Sequence, residues 1–277
     1  MSKEIVNISE QMARDAQKYK EQEKIGEGRA ITTRAGVFKI GAGDDAQEVP
    51  GNKLLAIVLD AVWANVYYDT KFDADNVQPP RCYAYGRSED EMFPHLESMK
   101  EDMSYFMPQH FVNGEVKGCV GCPMAEWGSA ERGRGKACSN RRKLALLPAG
   151  LYEKPGRDWE GQLYDAPSHF QHADIYTLNL PVTSVRNWSK MVQWLSATHN
   201  RPPYGAIVEI SIRPDAKTQF AIEFEFVELV DQALLPIIYP RHADAVSRGL
   251  LIEGYRAPSE EDDRPQRGGG GFKRRAR

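Results

Sequence analysis

Four cysteines are the residues of this chain whose spacing best suits a chemical task. Cys119 and Cys122 form a C-x2-C knuckle in GCVGCPMAEWGSAERGRGKAC, Cys138 follows after fifteen residues, and Cys82 stands upstream in PPRCYAYG. Four thiolates fill a tetrahedral zinc site and leave no open position, so the task they suit is structural. Gly118 and Gly121 fit the tight turn that brings two sulfurs of a knuckle to one ion. The stretch from Cys122 to Cys138 is glycine-rich and polar, and a metal would supply the folding energy that it lacks. Other readings stay open: Cys82 as a core residue, or His95, His110 or His169 in place of a cysteine ligand. Four thiolates also suit an iron–sulfur cluster. A redox disulfide between Cys119 and Cys122 is disfavoured, because the pair does not open a helix after a strand.

Beside the knuckle lie six cations in twelve residues: Arg132, Arg134, Lys136, Arg141, Arg142 and Lys143. On a metal-stiffened loop they would be phosphate contacts, and Gly133 and Gly135 leave the backbone bare for a polyanion to approach. Trp63, Tyr67, Tyr68, Tyr83 and Tyr85 flank the same region. Aromatic faces beside cations are what sequence-tolerant single-strand binding requires, since every base offers a face to stack. Trp63 is expected to be buried, and Tyr67 or Tyr68 exposed. A further basic stretch, RPQRGGGGFKRRAR, follows the acidic residues Glu260 to Asp263 and resembles Arg/Gly segments that associate with nucleic acid. No phosphate-cradling loop and no nucleophile–base spacing is present, so the chain is expected to be non-catalytic.

The elements that must position these residues can be read from periodicity. Residues 54–68, LLAIVLDAVWANVYY, have the β-branched and aromatic density of a strand, bent near Asp60. Strands are also predicted over 37–40, 143–147 and 175–180. Ser184 is placed to cap a helix whose face carries Val185, Trp188, Met191, Val192 and Leu195, and Pro202-Pro203 ends it. Alternation over 204–213 and 219–228 predicts a hairpin, and a final helix is expected over 241–250. His169 and His172 are expected outside any helix. An N-terminal helix is expected from Ser9 to about Glu23, ahead of a glycine-rich joint.

The order of strands, amphipathic helix and hairpin predicts a mainly β fold with helices (α+β), an OB-fold-like barrel carrying a cysteine-rich zinc-binding insert. The expected organisation is a helical arm and joint over 1–33, a core over 34–257 with its insert at about 80–142, and a disordered tail over 258–277. A length of 277 residues allows one such elaborated domain, and the net charge of −3 gives no overall attraction for a polyanion, so any basic patch must be local. No apolar run is long enough to span a membrane and no secretory leader is evident, so a cytoplasmic protein without a membrane partner is expected.

Three stretches resemble a family of phage proteins regarded as single-stranded DNA-binding replication or recombination proteins: PGNKLLAIVLDAVWANVYYDTKFD, QPPRCYAYGR and GCVGCPMAEWGSAERGRGKACSNRRKLALLP. The likeness extends more loosely to LNLPVTSVRNWSKMVQWL and the hairpin after it, and so covers roughly residues 34–230. It implies an OB-like core, zinc bound by Cys82, Cys119, Cys122 and Cys138, and DNA binding in the cytoplasm of a host cell. Replication or recombination proteins are the implied further partners. Two rival readings are a zinc-stabilised scaffold that binds another protein through its N-terminal helix and, ranked last, a nuclease with an iron–sulfur staple.

Overall fold

The computed structural model describes residues 30–33, 36–41, 46–70, 80–88, 91–95, 111–112, 115–116, 118–131, 134–154, 158–215, 219–247 and 251. The expected N-terminal helix, the joint up to residue 29 and the tail over 258–277 lie outside these residues, as do Arg132 and His110. In chain order the elements are β1 (Ala30–Thr32), β2 (Lys39–Ile40), β3 (Gln47–Glu48), β4 (Lys53–Tyr67), β5 (Cys82–Gly86), β6 (Phe93–Pro94), β7 (Phe111–Val112) and β8 (Glu115–Val116). There follow β9 (Ser139–Glu153), β10 (Glu160–Leu163), α1 (Pro167–His172), β11 (Tyr176–Leu180), α2 (Val182–His199), β12 (Ala206–Asp215), β13 (Gln219–Leu229) and α3 (Leu235–Ser247). Among the described residues no helix is long and apolar enough to cross a membrane.

The fold is mainly β with helices, as the periodicity predicts, and its strands form an open mixed sheet in the order β13-β12-β4-β9-β11-β1-β2-β3. The expected closed barrel is not formed. Closure would require β13 to pair with β11, but β11 turns its outer side to β1, in parallel. At Ile222 the edge of β13 is met by α2. Ser184 Oγ of α2 accepts the Ile222 N–H at 2.8 Å, and Asn187 Nδ2 donates to the Ile222 carbonyl at 2.9 Å. Helix side chains thus occupy backbone groups that another strand would otherwise take.

Ser184 is therefore not the helix cap that the sequence suggests; Pro181 precedes the first turn and no side chain caps it. Trp188, Met191 and Leu195 are buried as expected, and burying Met191 or Leu195 contributes roughly 1.5–3 kcal/mol each. Asn200 ends the helix in the left-handed region at φ 50°, its N–H bonded to Leu195 and Ser196 carbonyls.

β4 and β9 form the spine, fifteen residues each and paired antiparallel over most of their length. The other edge of β4 is shared, β12 pairing with residues 53–57 and β5 with residues 63–67. Between these two stretches lies the bend expected near Asp60. Val58 pairs with Leu146 and Asp60 with Ala145, which leaves Leu59 as an extra residue. The buried Asp60 carboxylate accepts the Ala61 N–H at 2.9 Å and the Arg87 guanidinium at 2.7 and 2.9 Å.

The bulge decides which side chains share a face. Ile57 and Leu59 lie in one core cluster with Val62, Ala64 and Val66, together with Phe170 of α1 and Ile238 and Ala245 of α3. Beyond the bulge Trp63, Asn65 and Tyr67 turn to the opposite face, the one that α2 covers over Val58, Leu144, Leu146 and Val208. Helices on both sides explain why β4 reads as nearly continuous apolar sequence rather than as strict alternation.

Two helix expectations need correction. α1 forms around His169 and His172 because Pro167 is preset for a first helical turn and the fully buried Phe170 anchors it. α3 begins at Leu235, not at Arg241, and runs through Pro240. An internal proline costs about 3 kcal/mol of helix, which the burial of Ile238 and its neighbours offsets. The expected irregular insert also begins as regular structure, since β5 belongs to the main sheet.

Candidate functional site

Three separated segments deliver the thiols to one place. Cys82 opens β5 and pairs with Tyr67 across the sheet. Cys119 and Cys122 sit on a turn tied down by Cys119 N–H to Met92 O at 2.8 Å and Cys122 N–H to Cys119 O at 3.2 Å. Gly121 lies at φ 76°, a backbone state that side-chain-bearing residues rarely adopt, so the sharp C-x2-C turn requires glycine there. Cys138 immediately precedes β9, and its N–H reaches Met124 O at 2.7 Å.

All four cysteines are free thiols, and all four line one cavity of about 10 Å³ with Asn65, Tyr67, Ala84, Met124 and Ala125. That volume suits a single water or ion. Among the described residues no histidine lines it. His95 lies against Tyr83, its Nδ1 2.8 Å from the phenol oxygen, and His169 contacts Pro148 O at 3.0 Å while packing on Tyr164. The side-chain oxygen of Asn65, on the cavity wall, is buried without a hydrogen-bond partner. Among the described residues no three or more His, Cys, Asp or Glu side chains are assembled as a metal-holding group.

Burial, and then the neighbouring Cys82 and Cys122, push the Cys119 thiol up to about 12. Burial and the other three cysteines push Cys138 up as well, against a small opposing effect of Lys136.

Beyond the thiols the chain makes a compact loop. Gly128 N–H and Ala130 N–H both reach Gly135 O, at 3.0 and 3.2 Å. Ser129 Oγ lies 2.7 Å from Glu126 O and accepts the Ala137 N–H at 2.9 Å. This loop exposes Arg134, half-exposes Lys136, and carries Trp127 with 80% of its surface open to solvent.

The other expected contact residues are distributed differently from the sequence reading. Arg141, Arg142 and Lys143 are on strand β9, not on the loop, and alternation sends them to opposite faces. Arg141 lies opposite Ala64 and Lys143 opposite Val62, on the α3 side; Arg142 lies opposite Trp63, on the other. The Arg142 guanidinium sits 3.3 Å from the centre of the Trp63 ring, and Lys143 Nζ is 5.9 Å from that of Tyr85. Tyr83 and Tyr85 are only 6% and 7% exposed, members of the core rather than a stacking platform. Tyr67, half-buried, lines the thiol cavity, and Tyr68 packs against the α3-side core. The structure thus brings the four cysteines to one cavity and divides the cations between the loop and the two faces of β9.

Trp127 is the residue that the sequence reading passed over. Its sequence setting is a polar, glycine-rich stretch, between Glu126 and Gly128. No protein-family model, no curated protein and no solved structure matches the chain.

Proposed function

We propose that the chain is a non-catalytic, sequence-tolerant single-stranded DNA-binding protein of phage replication or recombination. One observation carries this reading: a compact loop, flanked by four thiols that line one cavity, presents Arg134 and Lys136 with the exposed Trp127. Phosphate-binding cations on a stiff support next to a ring that bases can stack on are the two components of single-strand binding. The strand order β13-β12-β4-β9-β11 agrees with an OB-like core opened at its last seam, with α2 plugging one face. Cytoplasmic location and partnership with replication or recombination proteins belong to the same proposal.

Four cysteines are the donor type that a structural zinc takes. Cys82, Cys119, Cys122 and Cys138 would hold it, lining a cavity the size of one ion beside Asn65 and Tyr67. A bound zinc supplies the positive charge that turns buried thiols into thiolates and adds its binding energy to folding. Around it the chain's own residues do the positioning. Gly121 makes the turn, Met124 O holds the Cys138 backbone, and Ser129 closes the loop that projects Arg134 and Lys136. Those two cations attract phosphate, while Arg142 stays on the sheet and covers Trp63.

The test is a titration of the full chain with labelled oligo-dT across a salt series, with unlabelled duplex as competitor. Saturable, salt-sensitive binding that duplex competes for poorly is expected. Equal affinity for duplex and single strand would refute the reading.

A further inference from the structure

Trp127 and Val120 are exposed to 80% and 66%, and both belong to the cysteine-bearing module. Tryptophan is on average a well-buried residue, so one this open on an ordered loop calls for a physical account. Among the described residues three further aromatic residues are exposed, each less so than Trp127, and Trp159 among them lies over Gly51 with Lys154 Nζ 5.6 Å from its ring centre. Trp194 packs on His199 and Phe226, and Tyr239 on Tyr204 and His242. Trp127 has no ring against it among the described residues; the group that approaches it is Lys136, whose Nζ lies 5.8 Å from the ring centre. Its position is set from both sides. Gly128, next in sequence, adopts φ 93° and bonds Gly135 O, and Glu126 before it carries the carbonyl that Ser129 engages. Little backbone entropy is therefore left to lose when the indole takes a partner.

We infer that Trp127 is the residue on which an unpaired base stacks, with Lys136 and Arg134 beside it for the flanking phosphates. This rests on the single-strand reading above and replaces the tyrosines as the stacking element. A base laid on the open face of the indole has Lys136 at the ring and Arg134 on the same loop. Duplex DNA keeps its base faces covered by neighbouring pairs, so the same platform discriminates between the two forms. The indole needs only a planar π-face, which makes the contact tolerant of sequence.

The experiment compares the full-length wild type with Trp127→Ala and Trp127→Phe, using oligo-dT and an abasic oligonucleotide of equal length at one fixed salt concentration and then across a salt series. Loss of one base–aromatic stack predicts a Kd for oligo-dT raised roughly 5- to 150-fold in Trp127→Ala. Trp127→Phe should recover most of the affinity. The salt slope should be unchanged, since every cation is retained, and the wild-type preference for oligo-dT over the abasic strand should shrink in Trp127→Ala. A thermal midpoint equal to wild type confirms that the exposed ring was not holding the fold. Wild type that binds while Trp127→Ala binds equally well overturns the stacking role and leaves the single-strand reading standing. A reduced salt slope, or equal loss on the abasic strand, also overturns it. Wild type that does not bind oligo-dT at any salt overturns both.

Discussion

Replacing Arg142 with glutamine separates a structural cation from a phosphate-binding one within a single basic run. The guanidinium lies flat enough on Trp63 to place its carbon 3.3 Å from the ring centre, directly across the β4–β9 pairing. Cation–aromatic contacts range from about 0.5–1 kcal/mol when exposed to about 2 kcal/mol when desolvated. Arg142 and Trp63 are both half-buried, so a loss of about 1–2 kcal/mol is expected for R142Q. For a domain of this size that lowers Tm by roughly 2–8 °C. Lysine keeps the charge but not the planar fork, so R142K should recover part of the stability and not all of it. Calorimetry or urea denaturation measures the stability, and oligo-dT titrations at several salt concentrations measure the second quantity. Each cation that no longer neutralises a phosphate of a single strand reduces the slope of log K against log salt by about 0.7. With Arg142 committed to Trp63, the slope of R142Q should equal that of wild type, whereas a double neutralisation of Arg134 and Lys136 should lower it by about 1.4. A reduced slope with unchanged Tm in R142Q would refute this reasoning and return Arg142 to the phosphate-binding set.

Other consequences follow from particular contacts. Ser184→Ala leaves the buried Ile222 N–H without its acceptor and should cost about 1–3 kcal/mol in urea denaturation; a change under about 0.5 kcal/mol would mean that water replaces the hydroxyl. Under the proposed zinc binding, a chelator or Cys138→Ser should lower Tm and open the 119–138 segment to protease while leaving the α2-covered core folded; an unchanged cleavage pattern would argue against a bound ion. Tyr152 has its hydroxyl bonded to Glu209, and burial together with that carboxylate raises its pKa above the ordinary 10.0. A group raised in the folded state contributes stability below its unfolded pKa and loses it as pH rises further. Stability should therefore decline above about pH 10 in wild type, and Tyr152→Phe should remove this component of the decline.

The sequence by itself determines the elements whose periodicity is strong. The β-branched density of 54–68 makes a bent strand, the i, i+3, i+4 spacing from Val185 to Leu195 makes an amphipathic helix, and alternation after Pro203 makes a hairpin. Cysteine spacing alone pointed to a shared site, and the four thiols do line one cavity. Local pattern could not reveal what depends on partners far away in the chain. α1 exists because Phe170 has a core to enter, and α3 runs through Pro240 because Ile238 does. Closure of the barrel depended on whether β11 met β13 or β1, and two short polar side chains on α2 occupy the edge of β13. The basic run divided because alternation along β9 sends adjacent side chains to opposite faces, a fact that composition does not contain. The bulge at Leu59 then set which ring met which cation, so that Trp63 received Arg142 while Tyr83 and Tyr85 entered the core. Exposure was likewise decided by packing: Met124 and Ala125 join a small cluster with Cys82, Cys122 and Tyr67, whereas Trp127 belongs to none of the three clusters and stays open.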